Sequence, residues 1–224
     1  MKNTYAYLTF LLFITALTLF LSGCVELEQK TKINEDGSGT MNIHYWTKTS
    51  NIIGEELAGF GFTEDKVNIN YASSNTEVSD VKIEKNLEDS TTHVTLNLKF
   101  TDINKITNAK AFSKVKATWE KHQDGMLFQY ILIKDTSNAN KFGMSDYKLL
   151  FEFEFPNDIV RTNGRMEDNK AYWEKTIADL KEDVEMTAIV KEGGKGCGLF
   201  GVELPVIILL GFTILIFNKK NSSK

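Results

Sequence analysis

The stretch Val25-Glu26-Leu27-Glu28-Gln29-Lys30-Thr31-Lys32-Ile33, followed by Asn34-Glu35-Asp36-Gly37-Ser38-Gly39 and by Met41, Ile43 and Tyr45 at alternate positions, decides the fold. Successive side chains of an extended chain point to opposite faces, so Val25, Leu27, Gln29, Thr31 and Ile33 share one side and Glu26, Glu28, Lys30 and Lys32 the other. Asp36-Gly37, with a second glycine at Gly39, supplies the backbone freedom that a reversal needs. Two antiparallel strands joined by a turn are therefore predicted. The Asp-Gly-Ser-Gly run also looks like part of a calcium loop, but it lacks the alternating carboxylates and the closing glutamate of an EF-hand.

The same period returns along the chain, at Val81 and Ile83, then at Val94, Leu96, Leu98 and Phe100. Phe112 to Trp119 and Leu127 to Ile133 read as a second hairpin through His122-Gln123-Asp124-Gly125. After a polar loop around Asp135 to Ser145, Leu149, Phe151, Phe153 and Phe155 alternate with Leu150, Glu152 and Glu154 and stop at Pro156. Asn169 to Thr176 around Trp173, and Val184 to Val190, complete the strands. A helix is predicted from a Ser50 cap to Gly61, with Ile53, Leu57 and Phe60 at i, i+4 and i+7, and Asp102 is predicted to cap one turn over Ile103 to Asn108. Eight or nine short strands and one or two short helices give the expected fold class, α+β: an antiparallel β-sheet-rich domain with the helices packed on one face.

Outward from this domain, both ends carry membrane signals. No charged residue lies between Asn3 and Val25, Lys2 precedes the run, and the run ends Leu21-Ser22-Gly23-Cys24. That is the layout of a secretory signal over 1–23. Its last four residues resemble the lipobox of bacterial lipoproteins, in which the peptide is cut before the cysteine and the thiol takes a diacylglycerol group. At the other end, residues 193–198 are a Gly-rich linker, 199–217 are apolar apart from Glu203, and 218–224 carry Lys219, Lys220 and Lys224. About 20 residues at about 1.5 Å rise match a bilayer core of about 30 Å. Lysines behind the span put the tail in the cytoplasm and the domain, residues 24–192, outside. A second reading of the C-terminus stays open, in which the linker is cut and the helix discarded as a sorting signal. With Cys24 acylated, Cys197 is expected to have no thiol partner.

The chain has 26 Lys and Arg against 30 Asp and Glu in its 224 residues. Setting aside Lys2, Lys219, Lys220, Lys224 and Glu203, the part from Cys24 to Cys197 holds 22 basic and 29 acidic residues, a net charge of −7. No basic excess exists to bind nucleic acid or to draw the domain to anionic lipid. His44, His93 and His122 show no helical metal-ligand spacing, and no nucleophile elbow, zincin motif or P-loop occurs. No catalytic residue, metal or cofactor is expected. Glu152 and Glu154 lie about 7 Å apart on one strand face, a spacing that two-carboxylate hydrolases use, although alternation already explains them as the wet face. Phe60, Phe62, Trp119, Tyr130, Phe151, Phe153, Phe155 and Trp173 either line an acyl-chain cavity or fill a core.

Taken together, Cys24-Val25-Glu26 leading to Asp36-Gly37-Ser38-Gly39, the run Phe153-Glu154-Phe155-Pro156 to Asn163-Gly164 with Trp173, and the C-terminal apolar segment resemble the LppM-type lipoproteins of mycobacteria and their relatives. Asn157 stands after Pro156 where that pattern leads us to expect glycine. The resemblance implies an extracytoplasmic α/β domain that binds or handles membrane lipids or glycolipids without catalysis. The expected partners are thus membrane lipid, through the acyl anchor at Cys24 and the C-terminal span, and a lipid or glycolipid ligand. Localisation is expected at the cell membrane. The alternatives are an assembly lipoprotein that binds another envelope protein and, below it, an envelope hydrolase. Intact-mass measurement of membrane-extracted protein is expected to give a chain starting at Cys24 plus its acyl groups, and palmitate labelling is expected to vanish in Cys24→Ser.

Overall fold

The computed structural model describes residues 26–57, 59–134 and 148–193. The signal 1–23, Cys24, the polar loop at 135–147, Cys197, the apolar segment 199–217 and the tail 218–224 lie outside the described residues. Among the described residues no helix is long and apolar enough to cross a membrane. The described residues through Glu192 form one compact unit.

The predicted first hairpin forms as β1 (Glu26–Ile33) and β2 (Gly39–Lys48), with Ile33 opposite Gly39. Its turn is closed by Asn34 N–H donating to Ser38 O at 2.8 Å, and Asp36 Oδ1 accepts from Ser38 N at 3.0 Å and Ser38 Oγ at 2.6 Å. Gly37 sits at φ +81°, and a Cβ on Gly39 would come within 2.0 Å of Lys32 O, so both positions need glycine. After β2 come β3 (Glu56–Leu57), β4 (Phe60–Gly61), helix α1 (Glu64–Tyr71), β5 (Thr76–Asn86) and β6 (Thr91–Phe100). The second half of the chain supplies β7 (Val115–His122), β8 (Gly125–Leu132), β9 (Lys148–Glu154), β10 (Ile159–Thr162), β11 (Arg165–Glu167), β12 (Lys170–Thr176) and β13 (Val184–Val190).

These strands build a seven-stranded sheet, in the order β11-β12-β9-β1-β2-β6-β5, and a four-stranded sheet, β10-β13-β8-β7. The small β3–β4 hairpin stands apart. The expected α+β class is therefore corrected: the described domain is mostly β, with one eight-residue α-helix and short 3-10 turns. A second sheet packs on the inner face of the large one at β9, and α1 with the 3-10 turns packs into the same core. The sheets are also not wholly antiparallel, because β1 pairs with β9 in parallel, Leu27 opposite Leu149.

The helix expected from Ser50 to Gly61 does not form. Gly54 and Gly59 adopt φ +73° and +91°, which break a helix, and residues around them make a 3-10 turn and the β3–β4 hairpin. Phe60 is drawn to Tyr45, ring centroids 4.9 Å apart, while the Tyr45 hydroxyl donates to Gly61 O. The helix that does form starts at a Thr63 cap whose side chain accepts from Lys66 N, with Glu64 and Asp65 in its first turn. Its pattern is hard to read because one of its three buried residues is polar, Asn70 between Val67 and Tyr71. The Asp102-capped turn over Ile103–Asn108 forms as expected, with Asp102 accepting from Asn104 N at 3.0 Å.

The two sheets meet along an aromatic seam. Phe128 lies 4.6 Å from Phe153 and 5.1 Å from Phe155, and Tyr130 lies 5.2 Å from Phe153 and 6.0 Å from Phe151, centroid to centroid. Trp119 stacks on Phe155 at 6.0 Å and its Nε1 donates to Glu35 O at 3.1 Å, which ties the first turn to the small sheet. Phe153 is fully buried at the centre of this seam. Phe153→Ala is expected to cost about 3–5 kcal/mol in urea unfolding, whereas Ile53→Ala, at an exposed position, stays within about 0.5 kcal/mol.

Candidate functional site

At one end of the sandwich the seam stops. Beyond Phe151 and Tyr130 the inward positions hold Leu149, Leu27 and Leu132, which reach less far than aromatic rings and leave a cavity of about 470 Å³. Two further walls close over it: Phe60 and Tyr71 from β4 and α1, and Ile177 and Leu180 from the 3-10 turn after β12. Its size falls within the range of small-molecule sites, about 300–1,000 Å³. Its lining is largely aliphatic and aromatic, with few polar groups.

The polar groups that do face it are held in place. Gln29 is buried, its Nε2 donates to Thr31 Oγ1 at 3.1 Å, and the Tyr130 hydroxyl lies 3.5 Å from Gln29 Oε1. Burial raises the Tyr130 pKa, so the phenol stays protonated. Lys110 sits at the lining with Nζ donating to Asn70 Oδ1 at 3.0 Å and 3.8 Å from Glu56. Asn70 in turn donates to Gly59 O at 3.0 Å. The Lys110 ammonium is thus fixed beside a largely apolar cavity, whose lining also includes Lys114.

Of the eight aromatic residues singled out in the sequence, Phe60, Tyr130 and Phe151 line this cavity. Phe62, Trp119, Phe153, Phe155 and Trp173 are core, and Trp173 is further fixed by Nε1 donating to Asn163 Oδ1 at 2.8 Å. The cavity residues that sequence reasoning missed as such include the leucines and isoleucines Leu27, Ile43, Leu132, Leu149, Ile177 and Leu180. Nothing in alternation distinguishes an aliphatic residue that fills a core from one that borders a void.

The other sequence candidates lie on the outer face of the large sheet. Glu152 pairs with Lys170 at 2.7 Å, and Glu154 pairs with Lys32 at 2.8 Å and Lys170 at 3.7 Å. A hydrogen bond from Lys32, with its charge and that of Lys170, lowers the Glu154 pKa, the opposite of the raised value that a general acid needs. These charges wall a groove of about 510 Å³ and satisfy one another across it. His44 and His93 meet elsewhere on the outer face: His44 Nε2 is 3.1 Å from His93 Nδ1, both rings stack with Trp46, and Glu28 is 3.8 Å from His44. His122 sits in the β7–β8 turn, 3.8 Å from Asp124. Among the described residues no group of three potential ligands is placed to hold a metal ion.

Burial lowers the His44 pKa, His93 adds to that, and Glu28 opposes it. A depressed histidine takes up its proton more readily when unfolded, so its contribution is complete above the unfolded value of about 6.5 and is lost as the pH falls from there through the lower folded value. The thermal midpoint is expected to drop between pH 7 and pH 5, and to drop less in His44→Gln, as followed by circular dichroism.

No protein-family profile and no curated protein sequence matches the chain. Among solved structures, the fold is similar to the NMR structure of the folded domain of Mycobacterium tuberculosis LppM, at 14% identity over 77% of this chain and 93% of that one, with a TM-score of 0.45. The likeness is distant and concerns the fold alone.

Proposed function

We propose that this chain is a bacterial lipoprotein, held at the outer side of the cell membrane by acyl groups on Cys24, whose β-domain binds the apolar part of a lipid or glycolipid without catalysis. The observation that carries this reading is the cavity of about 470 Å³ between the sheets, floored by Leu27, Leu149 and Phe151. Each methylene buried there is kept out of water at about 0.8 kcal/mol, so the cavity can match the apolar environment that an acyl chain has in a bilayer. Lys110 beside the cavity supplies a positive charge for a phosphate or carboxylate headgroup. The Leu21-Ser22-Gly23-Cys24 motif supports the anchor.

Pairing with another envelope protein through the edges of the large sheet has less support. Edge strand β5 carries a bulge between Ser79 and Lys82, with Asp80 at φ +52°, and edge strand β11 has only three residues. Short, bulged and charged edges discourage strand addition.

Native mass spectrometry of gently extracted protein is expected to show a copurified lipid. Ala111→Trp, which places an indole in the cavity lining, is expected to lower the lipid-bound fraction at least several-fold while leaving the thermal midpoint within a few degrees. Wild-type protein that carries no lipid, and takes up none from vesicles, would refute the reading.

A further inference from the structure

Strand polarity places three features at one end of the domain. Leu27, the second residue of β1, lines the cavity, so the chain enters the fold at the cavity end. Register carries the same end across the sheet: Glu26 lies opposite Trp46, Trp46 opposite His93, and Lys48 opposite Thr91, which pairs with Asn86. The β5–β6 turn, with Leu87 at its start, and the loop leaving β2, with Ile53, therefore both project from the edge where β1 begins. Thr49 N–H donates to Ser90 O at 2.9 Å and joins them. Leu87 is 88% and Ile53 79% exposed, the highest values among the described large hydrophobic residues. Single exposed leucines are ordinary on a protein surface. These two share an edge with the cavity and with the route to Cys24, and that coincidence is what needs a cause.

We infer that this end of the sandwich docks on the lipid bilayer, with Leu87 and Ile53 entering the acyl region and the cavity turned toward the membrane. The inference rests on the lipoprotein reading above. From Glu26 back to Cys24 the chain spans at most about 7 Å, the same rise that carries β2 from Trp46 to Lys48. An acyl anchor on Cys24 thus holds the tips of both loops at the membrane surface, and a lipid reaches the cavity without crossing water. Net charge does not favour contact with anionic lipid, so apolar insertion has to supply the attraction. Met166 and Val160 lie toward the opposite end: Met166 is opposite Ala171, which faces Phe153, and Val160 follows Ile159, which pairs with Val190 at the close of β13. They face away from the membrane in this arrangement.

The test uses the full-length acylated protein in vesicles of phosphatidylethanolamine and phosphatidylglycerol, on a Cys197→Ser background. Nitroxide labels are placed at Ile53→Cys, Leu87→Cys and, as the far-end reference, Met166→Cys. Collision with dissolved oxygen, which concentrates in the bilayer, is expected to exceed collision with a water-soluble nickel complex at 53 and 87. At 166 the order is expected to reverse, giving a several-fold difference in the ratio. Acylated protein in which 53 and 87 are as open to nickel as 166 overturns the docking while leaving the lipoprotein reading intact. Protein that intact mass shows to be uncut and unacylated at Cys24 overturns both.

Discussion

Contact between the rings of β8 and β9 is the constraint on which the rest of this domain depends. Phe128 and Tyr130 interleave with Phe151, Phe153 and Phe155, and every other layer is positioned from that seam. It joins the small sheet to the centre of the large one, because β9 is flanked by β1 on one side and β12 on the other. Large rings bring much apolar area together with few rotatable bonds, so a short seam suffices to fix how the sheets lie. The Trp119–Glu35 bond then closes the end near the first turn.

The same seam explains where the cavity is. Aromatic side chains span the gap between two sheets, about 10 Å, and leucines do so less completely. Filling stops where the inward residues change from phenylalanine and tyrosine to Leu27, Leu132 and Leu149, and the 3-10 turns and α1 cover the opening without occupying it. The cavity is thus a by-product of residue size at strand ends, and the aromatic seam stands directly beside it. The outer face follows different physics. There Lys32, Lys170, Glu152 and Glu154 are matched across neighbouring strands, and exposed pairs of this kind contribute at most about 1 kcal/mol each. They keep that face wet and in register.

Much of this architecture was legible in the sequence, and unevenly so. The first hairpin, the β7–β8 hairpin, the alternating strand ending at Pro156 and the Asp102 cap all follow from local rules, because period-two alternation and turn chemistry are properties of neighbouring residues. The helix at 50–61 failed for a local reason read too lightly: two glycines at positive φ and an aromatic partner on β2 outweighed an i, i+4, i+7 pattern. The helix at Glu64–Tyr71 was missed because its buried face includes an asparagine whose partners, Lys110 and Gly59, are distant in sequence or in another element.

By itself the sequence determined that the chain is strand-rich, where its principal turns fall, which residues face inward and that Cys24 sits in a lipobox-like motif. The tertiary structure alone decided that β1 pairs in parallel with β9, that a second sheet packs against the first, and that a cavity opens at the end where the chain enters. The physical reason is range. Alternation fixes which side of a strand is buried, but the identity of the strand beside or above it is set by contacts between segments separated in sequence, such as Leu27 with Leu149 and Phe128 with Phe153, and a void exists only as the space that those contacts fail to fill.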